Sequence, residues 1–165
     1  RLASPSAGVG DLAATLASRG PATLRVLQGD FLKLTFEQVR GALERGEGTF
    51  APLRVVGNLP YNVASPILFH LLELYGSGLP IRDATIMLQR EVADRLLAGP
   101  GSRDYGVLSV MIQQAADVQG LLQLPAGAFR PVPRVRSTLV RLIPHPPQPP
   151  VRDQRLFAAL TAAIF

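Results

Sequence analysis

Three short apolar runs in this chain each end on a polar residue. Leu24-Arg25-Val26-Leu27 leads into Gly29-Asp30, Leu53-Arg54-Val55-Val56 into Gly57-Asn58, and Ala84-Thr85-Ile86-Met87-Leu88 into Gln89. Aliphatic and β-branched runs of this length predict buried parallel strands. Segments with helical spacing separate them, at residues 10–19, 35–45, 90–98 and 106–116. The clearest helix opens at Ser65, which can cap it, with Pro66 suited to the first turn. Ile67, Leu68, Leu71, Leu72 and Tyr75 form its core-facing stripe, and Gly76 stops it. Glu91 and Arg95 are spaced for an i,i+4 pair. On residues 106–116, Leu108, Met111, Ile112 and Ala115 share one face.

After residue 117 the pattern changes. Val118, Gly120, Leu122 and Leu124 alternate, and Thr138–Ile143 is a further apolar run. With only the stiff loop Phe129-Arg130-Pro131-Val132-Pro133 between them, these predict an antiparallel hairpin at one edge of the sheet. Five prolines between Pro144 and Pro150 read as a linker, and the last 15 residues begin an amphipathic helix. Alternating strands and helices predict the α/β class. In open α/β sheets ligands sit beyond the carboxyl ends of the strands, so Asp30, Asn58 and Gln89 are expected along one edge.

Composition narrows the setting. The 165 residues are 47 % apolar, enough for a packed core. No apolar run is long enough to span a membrane, and no basic-then-apolar leader opens the chain. The absence of cysteine excludes disulfides and thiolate metal sites and fits a reducing cytoplasm. His70 and His145 are far apart without carboxylate companions, so no metal site is expected. The net charge of +5 comes almost wholly from arginine, Lys33 being the only lysine. An excess of arginine attracts polyanions and can fork onto phosphate; a GC-rich genome would produce the same bias.

The chemistry concentrates in Asn58-Leu59-Pro60-Tyr61. The exocyclic N6 of adenine is a poor nucleophile because its lone pair is delocalised into the ring. Accepting hydrogen bonds from both N6–H groups turns that nitrogen towards tetrahedral geometry. The Asn58 side-chain oxygen can be one acceptor and a backbone carbonyl of Asn58-Leu59-Pro60 the other, with proline stiffening the turn. Tyr61 offers a flat face for a base to stack on and a π-cloud that favours a nearby sulfonium cation. A base must leave its stack to enter such a pocket. The competing reading is a plain strand-ending turn, since Asn and Pro are common in turns. Position between a buried strand and a capped helix favours the chemical reading.

Other residues carry less. Asp30 could accept a hydrogen bond from the adenine amine of a nucleotide-like cofactor, or be a solvated strand-end carboxylate. Phe129 could close over a target base, or be an ordinary core aromatic. Ala7-Gly8-Val9-Gly10 follows no strand and reads as a turn, not a cofactor loop. His70 reads as structural, and Glu91 and Asp94 as surface ion-pair partners.

Five stretches in order resemble the ribosomal RNA adenine dimethyltransferases. They are Gly29-Asp30; Val55 to Pro66; Met87-Leu88-Gln89-Arg90-Glu91-Val92-Ala93; Gly101-Ser102 with Tyr105 to Val110; and Ala128 to Val135 with Ser137. The resemblance runs from about Leu24 to Phe165. It implies a class I, Rossmann-like methyltransferase sheet that uses S-adenosylmethionine, followed by a small helical domain. It implies that Asp30 contacts the cofactor adenine and that Asn58 touches both the cofactor and the target N6. Leu59 and Pro60 belong to the same motif, and Tyr61 and Phe129 flank the target adenine. Arg103, near the RNA side of the family, and Arg130 and Arg134 beside the aromatic-proline loop are candidate RNA contacts.

The resemblance also implies departures. The family's glycine-rich cofactor loop and acidic ribose-binding strand would precede Arg1, and its helical domain would continue past Phe165. The expected division is therefore a partial methyltransferase domain over 1–145 and a linker with one helix over 146–165. A piece of that kind is expected to lack the sheet's central strand and to be inactive alone. The implied activity is transfer of methyl groups to N6 of two adjacent adenines in small-subunit rRNA, acting as a monomer on a pre-30S particle in the cytoplasm. Three alternatives stay open: a large-subunit rRNA adenine methyltransferase of the macrolide-resistance type, a non-catalytic assembly factor of the same fold, and a DNA adenine methyltransferase. Leu59 counts against the last, and Pro66 with Tyr105-Gly106 against the first.

Overall fold

The apolar runs around Val55 and Ile86 lie side by side as parallel strands, and the hairpin predicted downstream joins them on one side. The computed structural model describes residues 26–43, 51–130, 132–133 and 135–165. Contacts divide the chain into two compact units, 1–43 and 44–165.

In the first unit, a 3₁₀ turn at Phe31–Lys33 precedes helix α1, Phe36–Leu43. Asp30 caps the turn by accepting from the Leu32 backbone N–H at 3.1 Å. Thr35 and Gln38 form a reciprocal capping box, with each side-chain oxygen accepting the other's backbone N–H at 3.3 and 2.9 Å. The expected helix over 35–45 is present as far as Leu43. Of the strand expected at Leu24–Leu27, Val26 and Leu27 are exposed and outside any strand, while Leu24 and Arg25 lie outside the described residues. A run of β-forming residues becomes a strand only when a ladder partner satisfies its backbone. The helix expected at 10–19 also lies outside the described residues.

The second unit carries strands β1 (Leu53–Asn58), β2 (Ile81–Gln89), β3 (Ala116–Leu124) and β4 (Ser137–Pro144) in the order β1-β2-β4-β3. β1 and β2 are parallel; β2–β4 and β4–β3 are antiparallel. Helix α2 (Ala64–Gly76) connects β1 to β2, and α3 (Arg90–Leu97) and α4 (Val107–Gln113) connect β2 to β3. Ala84, Ile86 and Leu88 of β2, with Val140 and Leu142 of β4, line the buried face of the sheet at 1 % exposure or less. Leu68, Leu96 and Ile112 from the three helices are equally buried and complete the core. Gln113 ties α4 to the end of α3 by donating to the carbonyls of Leu96 and Ala98, each at 2.8 Å.

Several local expectations shift in register. Ser65 does not cap α2; Val63 holds the cap position without a side-chain bond, because a 3₁₀ turn at Tyr61–Val63 already leads into the helix. The buried stripe is Ala64, Leu68, Leu71 and Leu74, with Ile67, Leu72 and Tyr75 at its half-buried flanks. The helix does end at Gly76, but the left-handed residue is Gly78, at φ 103°. On α3 the ion pair forms between Arg90 and Asp94 at 3.3 Å, not between Glu91 and Arg95. α4 stops at Gln113, so Ala115 falls outside it; the buried residues of α4 are Ser109 and Ile112. The proline stretch is fastened rather than free: the N–H groups of His145 and Gln148 donate to the carbonyls of Ala115 and Gln114 at 3.0 and 2.9 Å. Helix α5, Gln154–Ile164, packs on α4 with Thr161 buried. No helix among the described residues is long and apolar enough to cross a membrane.

Candidate active site

Asn58 is the last residue of β1 and pairs with Met87 of β2. Met87 is out of phase with Ile86 and Leu88, so Asn58 projects from the face opposite the main core. Its side chain is exposed and has no hydrogen-bond partner among the described residues. The amide oxygen and nitrogen are therefore free to meet a ligand.

The turn after β1 is held by its backbone. Leu59 N–H donates to the Met87 carbonyl at 3.4 Å, and Val63 N–H to the Pro60 carbonyl at 3.2 Å. Pro60 has φ −61° and ψ 133°, the extended form its ring enforces. Gly57 explains how the turn fits: a Cβ there would lie 3.2 Å from Leu59 Cδ2. Pro60 is exposed and Leu59 half-buried, tucked back towards the sheet. The Tyr61 ring lies outside what is described.

Gln89 ends β2 two residues past Met87, at the same edge, and pairs with Ser137 at the start of β4. Because β4 runs antiparallel to β2, the loop 129–136 that feeds it hangs over that edge. Half-buried Phe129 and exposed Arg130 are in this loop; Pro131 and Arg134 lie outside the described residues. Arg136 anchors the loop, its carbonyl accepting from Arg90 N–H at 3.0 Å. Asn58, Gln89 and the Phe129 loop thus converge on one sheet edge. Asp30 belongs to the first unit, where it caps a 3₁₀ turn instead of ending a strand, with Lys33 Nζ 3.9 Å from its carboxylate.

Arg103 is exposed and lines a cavity of about 780 Å³ that begins at Ser65, on the first turn of α2. Phe69, Arg95, Tyr105 and Phe165 line it too. Tyr105 and Phe165 meet edge to face with ring centroids 5.9 Å apart. Two guanidinium groups beside an aromatic pair suit a nucleotide's phosphate and base. Of these cavity residues the sequence singles out Arg103 as a candidate RNA contact, and no motif links Arg95 or Phe165 to it.

The family model for ribosomal RNA adenine dimethylase matches residues 10–165. The chain belongs to the ribosomal RNA adenine dimethylase family. It is 46 % identical over 155 residues to the ribosomal RNA small subunit methyltransferase A of Leptothrix cholodnii, covering 94 % of this chain and 53 % of that protein. The protein of the same name from Acinetobacter baylyi is 44 % identical over 158 residues, covering 94 % and 54 %. The chain therefore spans about half the length of these relatives. Among solved structures, a dimethyladenosine transferase from Plasmodium falciparum matches with a TM-score of 0.64 at 26 % identity, over 83 % of this chain and 44 % of that one. The 23S rRNA methyltransferase ErmE matches in fold with a TM-score of 0.60 at 24 % identity, over 94 % and 55 %. The α/β sheet of this family member is thus a Rossmann-like methyltransferase sheet.

Proposed function

We propose that the protein carrying this chain transfers methyl groups from S-adenosylmethionine to N6 of two adjacent adenines in small-subunit rRNA, acting as a cytoplasmic monomer on a pre-30S particle. The observation that carries this reading is the unpartnered Asn58 amide at the end of β1, on a turn stiffened by Pro60 and closed by the Leu59–Met87 bond. Membership of the family and the relatives' names support the substrate class.

The residues suit the cofactor. Asn58 presents an amide with no hydrogen-bond partner among the described residues, which suits a polar atom of the cofactor, and on the family resemblance alone Asp30 is a further cofactor contact. S-adenosylmethionine, when bound, supplies an electrophilic methyl carbon on a sulfonium. The chain's own part is to bind and aim the nucleophile. The Asn58 oxygen accepts one N6–H, and a carbonyl of the Asn58–Pro60 turn accepts the other. Each bond pulls N6 out of conjugation and directs its lone pair. Tyr61 and Phe129 flank the base and exclude water. Arg103, Arg130 and Arg134 meet phosphates. In this reading residues 1–145 belong to the methyltransferase part and 146–165 to a linker and the start of a helical part.

The test is label transfer from tritiated S-adenosylmethionine, using the protein at the length its gene encodes, to small- and large-subunit rRNA particles. Label is expected in adenine of the small subunit only. Asn58→Ala should remove nearly all transfer and keep RNA binding; unchanged turnover would take Asn58 out of the mechanism. Label in the large subunit would move the assignment to that class, and none in either would leave a non-catalytic assembly factor.

A further inference from the structure

A second cavity, of about 620 Å³, lies at the other end of the sheet from Asn58. Its walls come from the C-terminal half of α2, from the α4–β3 junction and from the segment just past β4. Since β4 runs antiparallel to β2, its end lies beside the beginning of β2, far from the edge that carries Asn58 and Gln89. The bonds from His145 and Gln148 to the carbonyls of Ala115 and Gln114 fasten the proline segment, so this wall is built rather than loose.

The lining is mainly apolar, with Phe69, Tyr75, Met111 and Pro146 prominent. Four polar side chains interrupt it, Glu73, Gln114, His145 and Gln154, and the first two bear most on a ligand. Gln114 is 7 % exposed, and its side-chain nitrogen is buried without a hydrogen-bond partner. The Glu73 carboxylate is largely exposed and 3.3 Å from His70 Nδ1. A volume between roughly 300 and 1,000 Å³ with apolar walls and few polar groups is the pattern of a small-molecule site. A buried N–H without an acceptor favours a ligand that brings one. The terminal torsion of glutamine is soft, so that N–H can turn to meet it. Glu73 repels anions and attracts a cation.

We propose that this cavity is a binding site for a small cationic aromatic amide, whose ring lies among Phe69, Tyr75 and Met111, whose carbonyl accepts from Gln114 and whose ammonium meets Glu73. The inference is independent of the methyl-transfer reading and survives its failure.

The experiment titrates 4-(aminomethyl)benzamide into isotope-labelled protein at the length its gene encodes, followed by NMR. The Met111 methyl and Gln114 side-chain amide signals should shift saturably, with a dissociation constant on the order of 1 mM for a ligand of this size. Gln114→Leu should weaken binding at least about fivefold, the loss of one buried hydrogen bond. Glu73→Gln, an exposed change that keeps the fold, should weaken this probe but not benzamide, and benzoate should bind least. Absence of a saturable shift at Met111 and Gln114 overturns the proposal, whether the cavity is filled by another stretch of the polypeptide or simply binds nothing. Equal affinity in wild type, Gln114→Leu and Glu73→Gln overturns it as well.

Discussion

Asp83, buried in β2, accepts a hydrogen bond of 2.5 Å from the Arg141 guanidinium across the antiparallel pair with β4. Arg54 Nε of β1 is 3.7 Å from the same carboxylate oxygen, so one acid links three strands. The Arg141 bond holds the Asp83 carboxyl below its ordinary range; burial opposes this, and the charges of Arg141, Arg54 and Arg82 add to it. A carboxylate with a lowered native pKa stabilises the fold fully above its unfolded value, about 3.9. That contribution is lost as pH falls through the lower native value. Asp83→Asn should therefore lower the melting temperature at neutral pH, and the gap from wild type should close on acidification below about pH 4. Thermal melts across that range check this; a gap that stays constant would detach Asp83 from the acid response.

Ser109 is fully buried and works twice. Its hydroxyl donates to the Arg95 carbonyl at 2.6 Å and accepts from Gly106 N–H at 3.1 Å, tying the start of α4 to the end of α3. Ser109→Ala leaves both partners unsatisfied. The expected loss is about 1–3 kcal/mol of stability, readable from denaturant midpoints. Because this joint supports the cavity that holds Arg103, the variant should also weaken RNA binding more than its distance from any phosphate would suggest.

Two glycines should respond with opposite signs. Gly101 sits at φ 84°, where an L side chain is strained, so Gly101→Ala should cost about 1–2 kcal/mol although the space around it is open. A Cβ at Gly120 would meet Leu97 Cδ1 at 3.1 Å, but Leu97 is 39 % exposed and its side-chain tip can move aside. Gly120→Ala should be neutral or stabilising by about 0.5 kcal/mol, through lower entropy of the unfolded chain. Chemical denaturation of the pair checks both signs.

Arg103→Gln should weaken RNA binding about equally for all sequences and reduce the slope of log affinity against log salt by about 1, the mark of one lost phosphate contact. Filter binding across a salt series measures it. An unchanged slope would leave Arg103 as a solvated cation.

Much of the second unit was legible along the chain. Strands at 53–56, 84–88 and 138–143 and the helix after Tyr61 follow from burial periodicity, which one face of packing enforces. The hairpin followed from two apolar runs with only a loop between them. Caps and ion pairs were less legible. Ser65 and Glu91 had suitable partners by spacing, but a 3₁₀ turn before α2 put Val63 at the cap position, and on α3 the pair formed one residue earlier, between Arg90 and Asp94. The apolar run before Gly29 puts Asp30 at a strand end, whereas in the fold it caps the local turn at Phe31–Lys33.

What the sequence determined alone was which residues are chemically able to act: an amide, a proline and an aromatic within four residues, with a second aromatic before prolines downstream. Those are properties of side chains and of proline's fixed φ, and they travel with the chain. That Asn58 and Gln89 share an edge, and that a hairpin follows, was legible too. What only the tertiary structure decided was the pairing: β4 lies against β2, which brings the Phe129 loop to that edge, and the register sets Asn58 beside Met87 and Gln89 beside Ser137. Strand order and register arise from contacts between distant segments, so no stretch of sequence read by itself could assign them.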